Sequence, residues 1–253
     1  MRDLHERLYL STTAEDAPAL AREHGLGLEI AEYCTASNMD RDFAAADRRV
    51  RRAMEGVTRF TLHAPFNELY PAAIDPLVLE IAHRRYQQAI TLSGSYGIRR
   101  VIVHAGYVPR VYHPSWFVER SVPFWREVLR AVPEDMTLCL ENVMEPAPDM
   151  LLAIVDAVGD PRFRLCLDVG HAACMGEDES PERWIRAMGG RIAHVHLHNN
   201  DGVDDLHWPL GQGVLDIEQI LSALEEHSPD ATVTVENIRA AESVRWLLEK
   251  NYL

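Results

Sequence analysis

Nine side chains of metal-binding type recur along the chain, and six of them end short runs rich in leucine and β-branched residues. The runs are TLHAPF with His63, VIVHAG with His104, TLCLENV with Glu141, LCLDVGHA with Asp168 and then His171, HVHLHNND with His196, and TVTVEN with Glu236. Asp205 and His207 follow in DDLHWPLGQG. Mixed imidazole and carboxylate donors suit zinc, manganese or cobalt, and open positions on such an ion accept water or sugar hydroxyls. Glu141, central in the chain order, is suited to bridge two ions. Two ions stabilise the attacking and leaving oxygens of a hydrolysis, whereas one ion flanked by two glutamates suits proton transfer next to a carbonyl. The expectation is a metalloenzyme with one to three divalent ions.

Such residues meet only if successive strands deliver them to one place. Short apolar runs alternate with longer amphipathic stretches from end to end, the pattern of repeated βα units and a parallel sheet. Strands are predicted over 7–11, 27–31, 60–63, 100–104, 137–141, 164–168, 193–198 and 232–236. Helices are predicted over 15–24, 42–54, 77–96, 121–131, 147–158, 181–188, 216–227 and 241–249. Eight of each close a (β/α)8 TIM barrel, whose chemistry sits at the carboxyl ends of the strands. The fold class is α/β, with one domain over residues 1–253, because no Pro/Gly/Ser linker or charge run divides the chain.

Strand parity sharpens the placement, since side chains alternate between the lumen and the helix layer. If Glu141 points inward, so do Cys139 and Thr137, and the same phase turns Asp168, Cys166, Glu236, Thr234, His63 and Thr61 inward. In the seventh strand His194, His196 and His198 share the inward face. The sequence leaves open which of them reaches an ion: His194 reads as a supporting residue, and His198 as a substrate contact or the ligand itself. Asn142 and Trp208 are further candidate substrate contacts, Trp208 by stacking on a sugar face.

Several residues carry blander readings. Glu29 and Glu32 read as polar lumen and loop residues, and His5, His24, His83, His113 and His227 as surface histidines. Tyr107, Tyr112, Trp116, Phe117 and Trp125 follow the fourth strand and either pack beneath a loop or form a lid over the pocket. Composition narrows the function classes. The 253 residues carry 25 basic against 39 acidic side chains, a formal charge of −14, and such a field repels phosphate backbones. A nucleic-acid partner is disfavoured, and a small carbohydrate or phosphorylated substrate is expected. The start, MRDLHERLYL, has no apolar core of a signal peptide and no stretch is long enough to span a membrane, so a cytoplasmic location is expected. Four dispersed cysteines fit reduced thiols. The one lysine, Lys250, argues against Schiff-base catalysis. Oligomeric state is left open.

These runs resemble the xylose-isomerase-like TIM-barrel superfamily, which includes endonuclease IV, hydroxypyruvate isomerase and the ketose 3-epimerases of the tagatose epimerase kind. The resemblance covers essentially the whole chain. The endonuclease IV pattern is similar at all nine positions, including D-x-x-H at Asp168 and His171 and D-x-H at Asp205 and His207, followed by Leu210, Gly211 and Gly213. The epimerases resemble the inner four, Glu141, Asp168, His196 and Glu236, together with His171. Their likeness implies that Glu141 and Glu236 exchange a proton of a metal-bound ketose while His171 polarises its oxygen. Two departures stand out: HLHNND replaces the HLND of endonuclease IV, and Gly202 stands where the epimerases carry an arginine. A sugar or sugar-phosphate isomerase or epimerase is therefore expected first. The alternative is a phosphoester hydrolase of the endonuclease IV type with two or three ions, acting on a substrate other than duplex DNA.

Overall fold

Eight parallel strands pair each with the next and the last with the first. In the computed structural model, which describes residues 4–176 and 180–253, they form one closed barrel. The strands are β1 (Leu8–Ser11), β2 (Gly27–Ile30), β3 (Phe60–His63), β4 (Arg100–His104), β5 (Thr137–Glu141), β6 (Phe163–Asp168), β7 (Ile192–Leu197) and β8 (Thr232–Val235). Helices α1 (Ala17–His24), α2 (Phe43–Met54), α3 (Pro76–Ser95), α4 (Pro114–Leu129) and α5 (Asp149–Val158) return the chain over the first half. The second half has α6 (Val169–Met175), α7 (Pro181–Met188), α8 (Ile217–His227) and α9 (Ala241–Glu249). Among the described residues no helix is long and apolar enough to cross a membrane.

The period-two alternation explains the two cores. Outward residues such as Leu138, Leu140, Leu165, Leu167, Val195, Leu197, Val233 and Val235 join the large cluster between sheet and helices. The inward Ile102, Cys139 and Cys166 form a separate small cluster inside the barrel, with Ala193 against it. The four cysteines are free thiols. Above that plug the lumen is polar, and there Glu29, Thr61, His194 and Thr234 are all fully buried.

Helix starts follow local chemistry. Asp75 accepts a hydrogen bond from the Leu77 backbone N–H ahead of α3, and Asp216 accepts from the Gln219 N–H ahead of α8. Two helices depart from expectation. Helix α4 begins at Pro114, not at 121, and continues through Pro123. Its buried face, Phe117, Ser121, Phe124, Trp125 and Val128, keeps helical spacing on both sides of that proline. The short α6 was not expected; Asp168 caps it by accepting from the His171 N–H at 2.7 Å.

Candidate metal centre

Glu141 ends β5 at the barrel axis and is 1% exposed. Its two oxygens face different imidazoles. Oε1 lies 2.8 Å from His196 Nδ1, and Oε2 lies 3.2 Å from His63 Nε2 and 3.3 Å from His104 Nε2. His196 Nδ1 also stands 3.2 Å from Glu236 Oε2 and 3.8 Å from Asp168 Oδ2. Toward the rim, Asp205 Oδ2 is 3.2 Å from His171 Nε2 and 3.1 Å from His207 Nε2. The nine residues singled out in the sequence thus form one continuous cluster, joined through Asp168, which lies 3.7 Å from His171.

Backbone carbonyls fix which ring nitrogen faces inward. His63 Nδ1 donates to Ala64 O, His171 Nδ1 to Asn142 O and His207 Nδ1 to Glu236 O, at 2.9, 2.9 and 2.8 Å. A carbonyl only accepts, so each Nδ1 carries the proton, and Nε2 is turned to a carboxylate oxygen. A neutral ring would then set a lone pair against a lone pair. Only an added proton or a cation relieves that conflict, and the arrangement is the usual support of a metal-bound histidine. Glu141 Oε2, buried and without a hydrogen-bond partner, points the same way. Glu141, Asp168, His196 and Glu236 have ligand atoms all within 4.8 Å of one another, and so do His171, Asp205 and His207, and His63, Glu141 and His196. The donor set fits one or more divalent cations.

Electrostatics follow from this crowding. Burial opposes ionisation of Glu141, but His196 and His104 hold its carboxyl well below the usual range. Burial likewise disfavours charge on His171, yet Asp168, Asp205 and Glu141 outweigh it and raise the ring to about 10. His207 is raised to about 9, mainly by Asp205 and Glu236 acting against burial.

A family model for the xylose isomerase-like TIM barrel matches residues 7–250. The chain belongs to the xylose isomerase-like TIM barrel family. It is 28% identical over 194 residues to the uncharacterized protein MJ1311 of Methanocaldococcus jannaschii, a match covering 73% of this chain and 66% of that protein. The chain therefore spans slightly less than two thirds of that relative. The structure superposes on the TTHB071 protein from Thermus thermophilus, solved after soaking with ZnCl2, with a TM-score of 0.76 and 27% identity. Coverage is 96% of this chain and 97% of that one. A D-tagatose 3-epimerase-like protein has the same TM-score at 24% identity, covering 97% and 96% of the two chains.

Not every residue singled out in the sequence reaches the mouth of the barrel. Asn142 is 1% exposed, and its amide is used on both sides of Asp168, donating to Asp168 O and accepting from Asp168 N. It fixes the β6 end and does not face the mouth. His198 lies one residue past β7 and is fully buried, with Nε2 3.1 Å from Asp168 Oδ1 and its ring stacked on His207 at 4.0 Å. Glu236 lies one residue beyond β8. Trp208 is 37% exposed beside the rim. Phe117 and Trp125 are fully buried, Trp125 packing on Tyr86 and Phe163, so they belong to the core and form no lid. His83, expected at the surface, is half-buried against Phe124.

The residues that shape the Asp205 loop escaped sequence reading. Asn199 pairs with Trp208 through both backbone groups, and its side chain bonds Leu210 O, Leu215 O and Leu215 N. Asn200 reaches across to Gly170 O, and Asn237 donates to His207 O and Trp208 O. This scaffold holds His207 at a φ of 48°, a left-handed conformation that few residues other than glycine adopt, and its Nε2 meets Asp205. The paired asparagines in HLHNND and the Asn after Glu236 were the available signals.

Proposed function

We propose that this protein is a metal-dependent enzyme acting on a small sugar or sugar phosphate, an isomerase or epimerase that moves a proton next to a carbonyl. The observation that carries the reading is the meeting of two carboxylates from strands three apart, Glu141 and Glu236, on the same His196 nitrogen. Glu141, Asp168, His196 and Glu236 would hold the cation. When bound it supplies a Lewis acid for the substrate's carbonyl and hydroxyl oxygens.

The side chains divide the remaining work. Glu236, with 14% of its side chain exposed, is the carboxylate nearer the mouth and the one suited to take a proton from the carbon beside the carbonyl. Glu141 lies beneath it among histidines; in an epimerisation it would have to carry a proton, give it to the other face of that carbon, and end as the carboxylate that His196 and His104 favour. His171, protonated and anchored on Asn142 O, donates to the substrate oxygen. The exposed Trp208 ring offers a stacking face for a sugar. Support for the carbohydrate class comes from the fold shared with a D-tagatose 3-epimerase-like protein, and support for a divalent ion from the zinc-soaked Thermus thermophilus structure.

A second reading, phosphoester hydrolysis with two or three ions, is favoured by one feature: each Glu141 oxygen serves a separate imidazole set, and His171, Asp205 and His207 make a further group. The formal charge of −14 disfavours duplex DNA as that substrate. Elemental analysis of the purified protein, together with deuterium uptake from solvent into a panel of ketoses, separates the two. One ion per chain with deuterium at a carbon next to the carbonyl supports proton transfer. Three ions with no exchange in any ketose, and release of phosphate from phosphoesters, would replace it with hydrolysis.

A further inference from the structure

His196 turns a different nitrogen to the site. Whereas His63, His171 and His207 each give Nδ1–H to a backbone carbonyl, His196 directs Nδ1 itself at Glu141 and Glu236. Its other nitrogen, Nε2, lies 3.1 Å from Glu29 Oε1, somewhat off the ideal hydrogen-bond line. Both residues are fully buried, and neither of these two atoms has another hydrogen-bond partner. A buried N–H and a buried carboxylate oxygen left alone each carry a large desolvation penalty, so the two are each other's only relief.

The second oxygen of Glu29 is held from three strands. Oε2 accepts from the hydroxyl of Thr61 on β3 at 3.0 Å and from that of Thr234 on β8 at 3.2 Å. His194 Nε2 on β7 approaches it at 3.2 Å. His194 is itself engaged by the hydroxyls of Thr232 and Thr234, at 2.6 and 2.8 Å. The Glu29 carboxylate is thus fixed before any cation arrives, and its free oxygen is aimed at one target.

We infer that Glu29 is a positioning residue: by accepting the Nε2 proton of His196 it fixes that ring with Nδ1 bare toward Glu141, Asp168 and Glu236, where a divalent cation binds. A carboxylate takes the place that a backbone carbonyl fills behind the other rings, and its charge makes the opposite nitrogen a stronger donor. The inference rests on the reading that this four-residue group takes a cation. It adds a residue outside the nine, from a strand that contributes no ligand.

The test uses the full-length protein, freed of metal, titrated with zinc alone. In wild-type protein labelled with 15N in histidine, zinc should take His196 Nδ1 while Nε2 keeps its proton. Glu29→Gln should weaken zinc binding by about 10- to 100-fold, with the metal-free melting temperature little changed. A merely structural role would lower that melting temperature and leave zinc affinity alone, which overturns the inference. Wild-type protein that binds no zinc sinks the proposed function and this inference together. Zinc bound equally by wild type and variant sinks the inference only. Should the variant fail to fold, the wild-type spectrum still decides: zinc seated on Nε2 would put the ion between Glu29 and His196 and exclude the positioning role.

Discussion

At the residue scale, protons and a bound cation would compete for the same nitrogens. His171 and His207, each drawn to Asp205 on Nε2, are raised to about 10 and about 9 in the metal-free chain. In the multi-ion reading, where His171 and His207 are ligands and His171 is not the proton donor of the one-ion reading, a cation must displace these protons before it can use the nitrogens. Zinc affinity should therefore rise with pH up to about 9 to 10, and binding near pH 8 should release protons into the buffer. Titration calorimetry in two buffers of different ionisation enthalpy measures that release. Zinc affinity that stays flat from about pH 6 to 9 would remove His171 and His207 from the ligand set.

At the element scale, α6 shows how backbone packing sets a side chain. Gly170 sits in its first turn, and a Cβ added there would lie 1.9 Å from Cε1 of His198. That ring cannot yield, because it is fully buried, stacked on His207 and bound to Asp168. Gly170→Ala should destabilise the fold by about 1–3 kcal/mol, the usual cost of overpacking, and, in the multi-ion reading, weaken cation binding at His171, Asp205 and His207. Denaturant melts paired with zinc titration check both, and a variant as stable as wild type with full zinc binding would show that His198 has room. Strand phase was legible from sequence because period two is imposed by the pleat; it correctly turned Glu141, Asp168, His63 and the β7 histidines His194 and His196 inward, with His198 just past the strand in the same phase. What period two does not encode is reach. His196 and His198 share a face, and only the curvature of the closed barrel sets His196 beside Glu141 and His198 beside Asp168. Glu29 was read as a polar lumen residue, and its partner could not be named, since β2 and β7 lie far apart in the chain. The Asn199, Asn200 and Asn237 brackets were missed for a similar reason: side-chain bonds to distant backbone leave no periodicity behind.

At the scale of the whole molecule, the barrel gathers Glu29, Glu141, Asp168, Asp205 and Glu236 at one end of a chain that already carries a formal charge of −14. Glu29, Glu141 and Asp168 are almost wholly buried. Without a cation that concentration is offset by protonated histidines; a divalent cation bound there would offset it more fully, and would bind the closed barrel far better than a chain whose ligands are spread over eight βα units. By linkage, free cation at a hundred times its dissociation constant adds about 2.7 kcal/mol. For a domain of this size that corresponds to roughly 5–10 °C in melting temperature. Removing metal with a chelator should lower the midpoint by that amount, and zinc, manganese or cobalt should restore it, each to a degree set by its affinity. Glu141→Gln tests whether the effect comes from this site: the substitution keeps the shape of the central side chain and removes the charge shared by His196, His63 and His104. Its melting temperature should respond little to either chelator or metal. A variant still stabilised by zinc as strongly as wild type would mean that the barrel mouth is not where the ion acts.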